Sequence, residues 1–177
     1  HDLEDLDDAT VAQVMFAKQR QIRGSDFLPP PQQRIVAISC VLRSRDGLTI
    51  FSLGDEKAAE KEIVQRFFDG LDRFTPVLVS WNGSGFDMPV LNYRALRHGI
   101  DAHRYWEVGE TDRDFRYNNY MSRYHWRHID LMDVLSGYGA SGRASLDLVA
   151  QLIGLPGKLG IGGAAVWPSY QRGELGA

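Results

Sequence analysis

A single cysteine in 177 residues, Cys40, excludes an internal disulfide framework, and with only five histidines the chain has no Cys/His cluster of the kind that holds zinc. Long apolar runs are also missing: none approaches the ~20 residues needed to cross a bilayer. No charged-then-apolar leader opens the chain, so the reading is a soluble, cytoplasmic protein with no membrane partner. Lone Cys40 lies in a strand-like run, 35–42, where its expected role is packing in a reducing compartment. Charge of one sign is scarce, since 20 Lys and Arg against 23 Asp and Glu leave a net of -3. That excludes a generally basic coat for nucleic acid and leaves a local basic surface open. The chain shows no low-complexity bias. A hydrophobic content of 44% is enough for a full core, so residues 1–177 read as one globular domain.

What is present is a strand that runs into a glycine-loosened turn and delivers a carboxylate. Val77, Leu78 and Val79 form a short apolar run after Pro76, followed by Ser80-Trp81-Asn82-Gly83-Ser84-Gly85-Phe86-Asp87-Met88-Pro89. Asn-Gly and Ser-Gly break the strand, and a helical pattern begins near Pro89 and stops at Gly99. Asp87 therefore stands where strand ends and helix begins, the edge at which open α/β sheets bind ligands. The plain alternative is that Asp87 is a helix N-cap, with Pro89 in the first turn.

The string Asn-Gly-x-x-Phe-Asp-x-Pro resembles the second exonuclease motif in the proofreading domains of B-family DNA polymerases. The whole chain resembles the predicted 3'-5' exonucleases related to that domain. Gly24-Ser25-Asp26-Phe27-Leu28-Pro29-Pro30, then Arg34 to Ser39, are similar to that family's entry into its second strand. His128-Ile129-Asp130-Leu131-Met132-Asp133, Ser145-Leu146-Asp147-Leu148 and Gly154-Leu155-Pro156 follow in the family's order.

The resemblance implies a ribonuclease-H-like mixed sheet flanked by helices. It also implies a two-metal 3'-5' exonuclease that acts on single-stranded or 3'-ended DNA, with RNA as the alternative substrate. Mg2+ or Mn2+ is the expected cofactor, because hard oxygen ligands favour these ions. Asp87 is then catalytic and a metal ligand, and Asn82 and Phe86, with Trp81 beside them, touch the terminal nucleotide. The family uses three further acidic residues, an Asp-x-Glu pair on its first strand and a last Asp in Tyr-x-x-x-Asp. These would precede residue 1 and follow residue 177, so the expectation is a chain trimmed at both ends, without its first-motif strand and last-motif helix.

Asp2-Leu3-Glu4 has the first spacing but no strand before it, and Tyr170 to Glu174 has the last spacing with Gly173 weakening the helix. His125 and Asp130 have the His-x-x-x-x-Asp spacing of histidine-type relatives. Asp130 is held open as a metal ligand or a buried, hydrogen-bonded carboxylate, and His125 is read as structural or surface. The competing class is a nucleic-acid-binding domain of the same fold that has lost the chemistry.

Between residues 104 and 127, five arginines are interleaved with seven aromatic residues. Arg116, Tyr117 and Tyr120 are candidates for a flap that holds a single strand, since guanidinium groups grip phosphates and aromatic faces stack on unpaired bases. The alternative is an excursion packed onto the domain by its aromatics. Elsewhere the periodicities place helices at 8–23, 58–74 and 88–98 and one after Ser145, with strands at 35–42 and 48–53 joined through Asp46-Gly47, and a loop at 157–163. Pattern alone assigns an α/β fold.

Overall fold

Seven α-helices and two short sheets of two strands each make up the described residues. The computed structural model describes residues 6–55, 57–157 and 162–174. The described residues form two compact units, one up to residue 33 and one from residue 34. The first contains helix α1 (Asp8–Arg23), capped by Asp7, whose carboxylate accepts the Thr10 N–H at 2.9 Å, and closed by left-handed Gly24. A single 3-10 turn, Pro30–Gln32, follows. Asp2 and Glu4 lie outside the described residues.

In the second unit, β1 (Ile38–Ser44) and β2 (Gly47–Leu53) form an antiparallel hairpin with Cys40 opposite Phe51 and Ser44 opposite Gly47. Helix α2 (Glu60–Phe74) carries Ile63, Val64, Phe68 and Leu71 on one stripe, all buried. Strand β3 (Leu78–Ser80) pairs in parallel with β4 (His128–Asp130), Ser80 opposite Asp130. Helix α3 (Asp87–His98) buries Met88, Val90, Leu91 and Ala95 and ends at left-handed Gly99. Then come α4 (His103–Trp106), α5 (Leu131–Leu135), α6 (Leu146–Leu152) and α7 (Gly163–Gln171).

The core is made by α2, α3, α4 and the segments just before and after α4: Val64, Phe68, Leu71, Met88, Leu91, Ala95, Ile100, Ala102, Tyr105, Phe115 and Tyr120. Each Val, Leu, Ile, Met or Phe among them contributes roughly 1.5–3 kcal/mol on burial. Buried Glu60 joins helices α2 and α3. It accepts from the Ile35 N–H (2.7 Å) and from Arg94, and lies 3.0 Å from His98 Nε2. Burial works against its charge, yet these donors hold its carboxyl below the usual glutamate range.

Among the described residues the hairpin and the parallel pair are separate sheets, and neither is bonded to a further strand. Their apolar positions face outward in part: Val41, Ile50 and Val79 are exposed. The broader expectation holds, a mixed α/β domain of helices and small sheets. No helix among the described residues is long and apolar enough to cross a membrane.

Candidate functional site

The strand-to-helix turn folds around Asn82. Its φ of 59° is in the left-handed region, where Asn is one of the few side chains tolerated. Its carbonyl accepts the Gly85 and Phe86 N–H groups at 3.1 and 3.0 Å, and the Met88 N–H returns to Gly83 O at 2.9 Å. Gly83 is required by close approach, since a Cβ there would sit 2.2 Å from Ser80 Oγ. The turn is thus a compact knot with little room for side chains of its own.

Asp87 is the first residue of α3, and the cap position falls on Phe86, which makes no side-chain capping bond. The N-cap alternative for Asp87 is therefore not the one adopted, and its carboxylate is not spent on the amides of the next turn. The residue stands exposed. Loss of hydration around its carboxyl, and secondarily the negative charge of Asp130, raise its pKa above the ordinary aspartate value, against the pull of its own N–H. A cation beside it would relieve both effects.

Asp130 is 6% exposed, and its carboxylate is heavily engaged. Oδ1 accepts the Asn82 N–H at 2.8 Å and the Met132 N–H at 3.2 Å, and Oδ2 accepts the Ser84 N–H at 3.0 Å. Of the two readings of Asp130, the hydrogen-bonded carboxylate is the one with geometry behind it. Two residues earlier, buried His128 places Nε2 2.8 Å from Ser80 Oγ. Burial pushes the His128 imidazole pKa down, against the attraction of Asp130. This His128–Ser80 pair was missed from sequence, where the only available signal was the His-x-Asp alternation, which puts both side chains on one face of a strand.

Trp81, Asn82 and Phe86 are half-buried around the same turn. As a metal site the assembly is partial. Exposed Asp87 suits one hard-cation ligand, and among the described residues no group of three His, Cys, Asp or Glu side chains gathers to complete one.

The segment 104–127 carries bonds of its own and bonds to the rest of the unit, and its residues part company. Tyr120 is 2% exposed, its hydroxyl donates to Pro76 O at 2.6 Å, and burial pushes its pKa up to about 12. Its candidacy as a stacking residue is corrected accordingly: a ring enclosed by Tyr105 and Phe115 has no face left for a base. Phe115 is fully buried under Arg104 and Arg127. Tyr117 is the opposite case, 79% exposed with the Arg116 guanidinium 5.5 Å from its ring centre. Trp126 and Tyr124 are also exposed.

Arg104 pairs with Asp112, and Arg123 pairs with Asp133. Arg113 and Arg116 are exposed and make no ion pair with a carboxylate among the described residues. Of the two readings of His125, structural or surface, the first has a bond behind it: its Nδ1 accepts the Asn119 N–H at 3.0 Å. Glu174, of the Tyr-x-x-x-acid spacing, is paired with Arg172 beyond the end of α7.

Searches of the curated proteins and of the solved structures return no significant match. A comparison with protein families does: residues 25–177 match the family described as predicted 3'-5' exonucleases related to the exonuclease domain of PolB, and the chain belongs to that family.

Proposed function

We propose that the protein is a 3'-5' exonuclease that removes terminal nucleotides from single-stranded or frayed DNA, on a ribonuclease-H-like fold. The observation that carries this reading is an exposed Asp87 at the start of α3, free of capping duty, in a turn of family-like sequence. Asp87 would be one ligand for divalent ions, Mg2+ or Mn2+, whose chemistry when bound would be to ionise a water near neutral pH and to offset the charge that builds on the phosphate.

The chain's own part is binding and orientation. Asn82 hydrogen-bonds the terminal nucleotide, and Phe86 and Trp81 pack against its sugar or base. Further along the strand, Tyr117 stacks on an unpaired base while Arg116 meets the phosphates.

The test is degradation of a 5'-labelled single-stranded oligonucleotide by the full-length protein, in Mn2+ or in EDTA. The expected outcome is a metal-dependent ladder shortened from the 3' end, abolished in Asp87→Ala with the far-UV spectrum retained. An unchanged ladder from Asp87→Ala would remove the central assignment. Binding without any ladder would favour a domain that holds nucleic acid and does not cut it.

A further inference from the structure

We propose that Asp130 is a positioning residue for Asp87: its carboxylate holds the backbone of the turn that delivers Asp87, from the neighbouring strand. The catalytic consequence rests on the exonuclease reading, but the clamp itself does not.

A backbone that leaves a strand and enters a helix without a side-chain cap has N–H groups to satisfy, and leaving such donors buried and unpaired is costly. Asp130 accepts two of them, from Asn82 and Ser84, across 48 and 46 residues of sequence. These amides bracket Gly83, which lies against the side chain of Ser80, itself bonded to His128 on the same face of β4. Strand β4 therefore grips the turn at three points.

The grip is passed on without a loose joint. Asn82 O takes the Gly85 and Phe86 amides, and Gly83 O takes the Met88 amide, so residues 82–84 are locked to the first turn of α3. Asp87 lies inside that lock. Asp130 also caps α5 through the Met132 N–H, but at 3.2 Å that is the longest of its three bonds. A cap alone would need one oxygen, whereas here both are used on the Asp87 turn. With two donors already on Oδ1, the carboxylate is better suited to holding backbone than to holding an ion.

The experiment compares Asp130→Asn with Asp133→Asn. Asp133 is equally buried, three residues on, but its partners are the side chains of Arg123 and Arg143 and not the turn. An Asn at 130 keeps the shape and sets an NH2 against one of the backbone donors. Amide hydrogen exchange at Asn82 and Ser84 should accelerate about tenfold or more in Asp130→Asn, and kcat on the oligonucleotide should fall about 10- to 100-fold with KM within about threefold. Asp133→Asn should leave exchange at these amides, and kcat per folded molecule, as in the wild type.

Unchanged exchange at both amides in Asp130→Asn, or an equal loss of kcat in the two variants, would overturn the proposal. Should Asp130→Asn fail to fold, Asp130→Glu retains the charge with the oxygens one methylene further along, and the same acceleration at Asn82 and Ser84 is expected. If the wild-type protein cuts nothing, the exonuclease reading falls and exchange alone decides on the clamp.

Discussion

The turn at residues 82–87 and the excursion at 107–127 are both irregular backbone, but they are held in opposite ways. The turn is gripped from outside, by Asp130 and by the His128–Ser80 contact, 46 to 48 residues away. The excursion's backbone is held largely by bonds of its own, with the Tyr120 hydroxyl on Pro76 O and the Arg123–Asp133 pair tying it to the rest of the unit. The Thr111 hydroxyl and the Gly109, Glu110 and Thr111 amides all donate to the Glu107 carboxylate, and hold its pKa at about 2 against the effect of burial. Asn119 Oδ1 accepts the Met121 and Ser122 amides, and Asn118 Oδ1 accepts that of Trp126. Gly109 is left-handed at φ 102°, and a Cβ there would sit 2.7 Å from Arg116 Cα. A segment that closes on itself can show rings to solvent while its backbone stays fixed. A segment gripped from elsewhere can aim one carboxylate without using it to stabilise the helix.

Beyond the loss of cleavage in Asp87→Ala, the largest effect should come from the anchor of the excursion. Phe115→Ala empties a fully buried site and should cost about 3–5 kcal/mol of stability in denaturant titration. If the two regions are held independently, cleavage per folded molecule should stay near wild type, and a parallel loss of kcat would break the comparison. Tyr117→Ala should do the reverse, leaving the melting temperature unchanged and weakening single-strand affinity by about 1–3 kcal/mol in a salt-controlled titration. Unchanged affinity would return Tyr117 to the ordinary surface.

The smallest effect concerns pH. The folded-state pKa of Asp87 is raised, so its ionised form is less favourable in the fold than in the unfolded chain. Asp87→Asn should then raise the melting temperature by a few degrees at most at neutral pH. That gain should shrink as pH falls through the folded pKa and vanish below the unfolded value near ~4. A gain that grows on acidification would contradict the raised pKa.

Much of the helical framework was legible. The 8–23 helix has the expected bounds because Asp7 and Gly24 are local stop signals acting within one turn. The 88–98 helix begins one residue earlier than read, at Asp87, and the difference matters, since it moves Asp87 from cap to first helical residue. Helix α7 was not anticipated: Gly162 and Gly163 open it, Pro168 sits inside it and no side chain caps it. Stacking of Trp167 on Tyr170, with Arg34 near the Tyr170 ring, accompanies a helix that local propensity argues against. Residues 158–161, read as part of a loop, lie outside the described residues.

By itself the sequence determined the class of the fold, the strand-to-helix turn and the place of Asp87 at its end, because periodicity and breakers are properties of neighbours along the chain. Only the tertiary structure decided that Tyr120 is core and Tyr117 is surface, since burial depends on what packs from elsewhere and the two tyrosines look alike in the same arginine-rich stretch. Only the tertiary structure, too, gave Asp130 its partners. Hydrogen bonds that span 46 to 48 residues leave no periodic trace, and a carboxylate in an apolar run reads the same whether it meets a cation or a backbone amide.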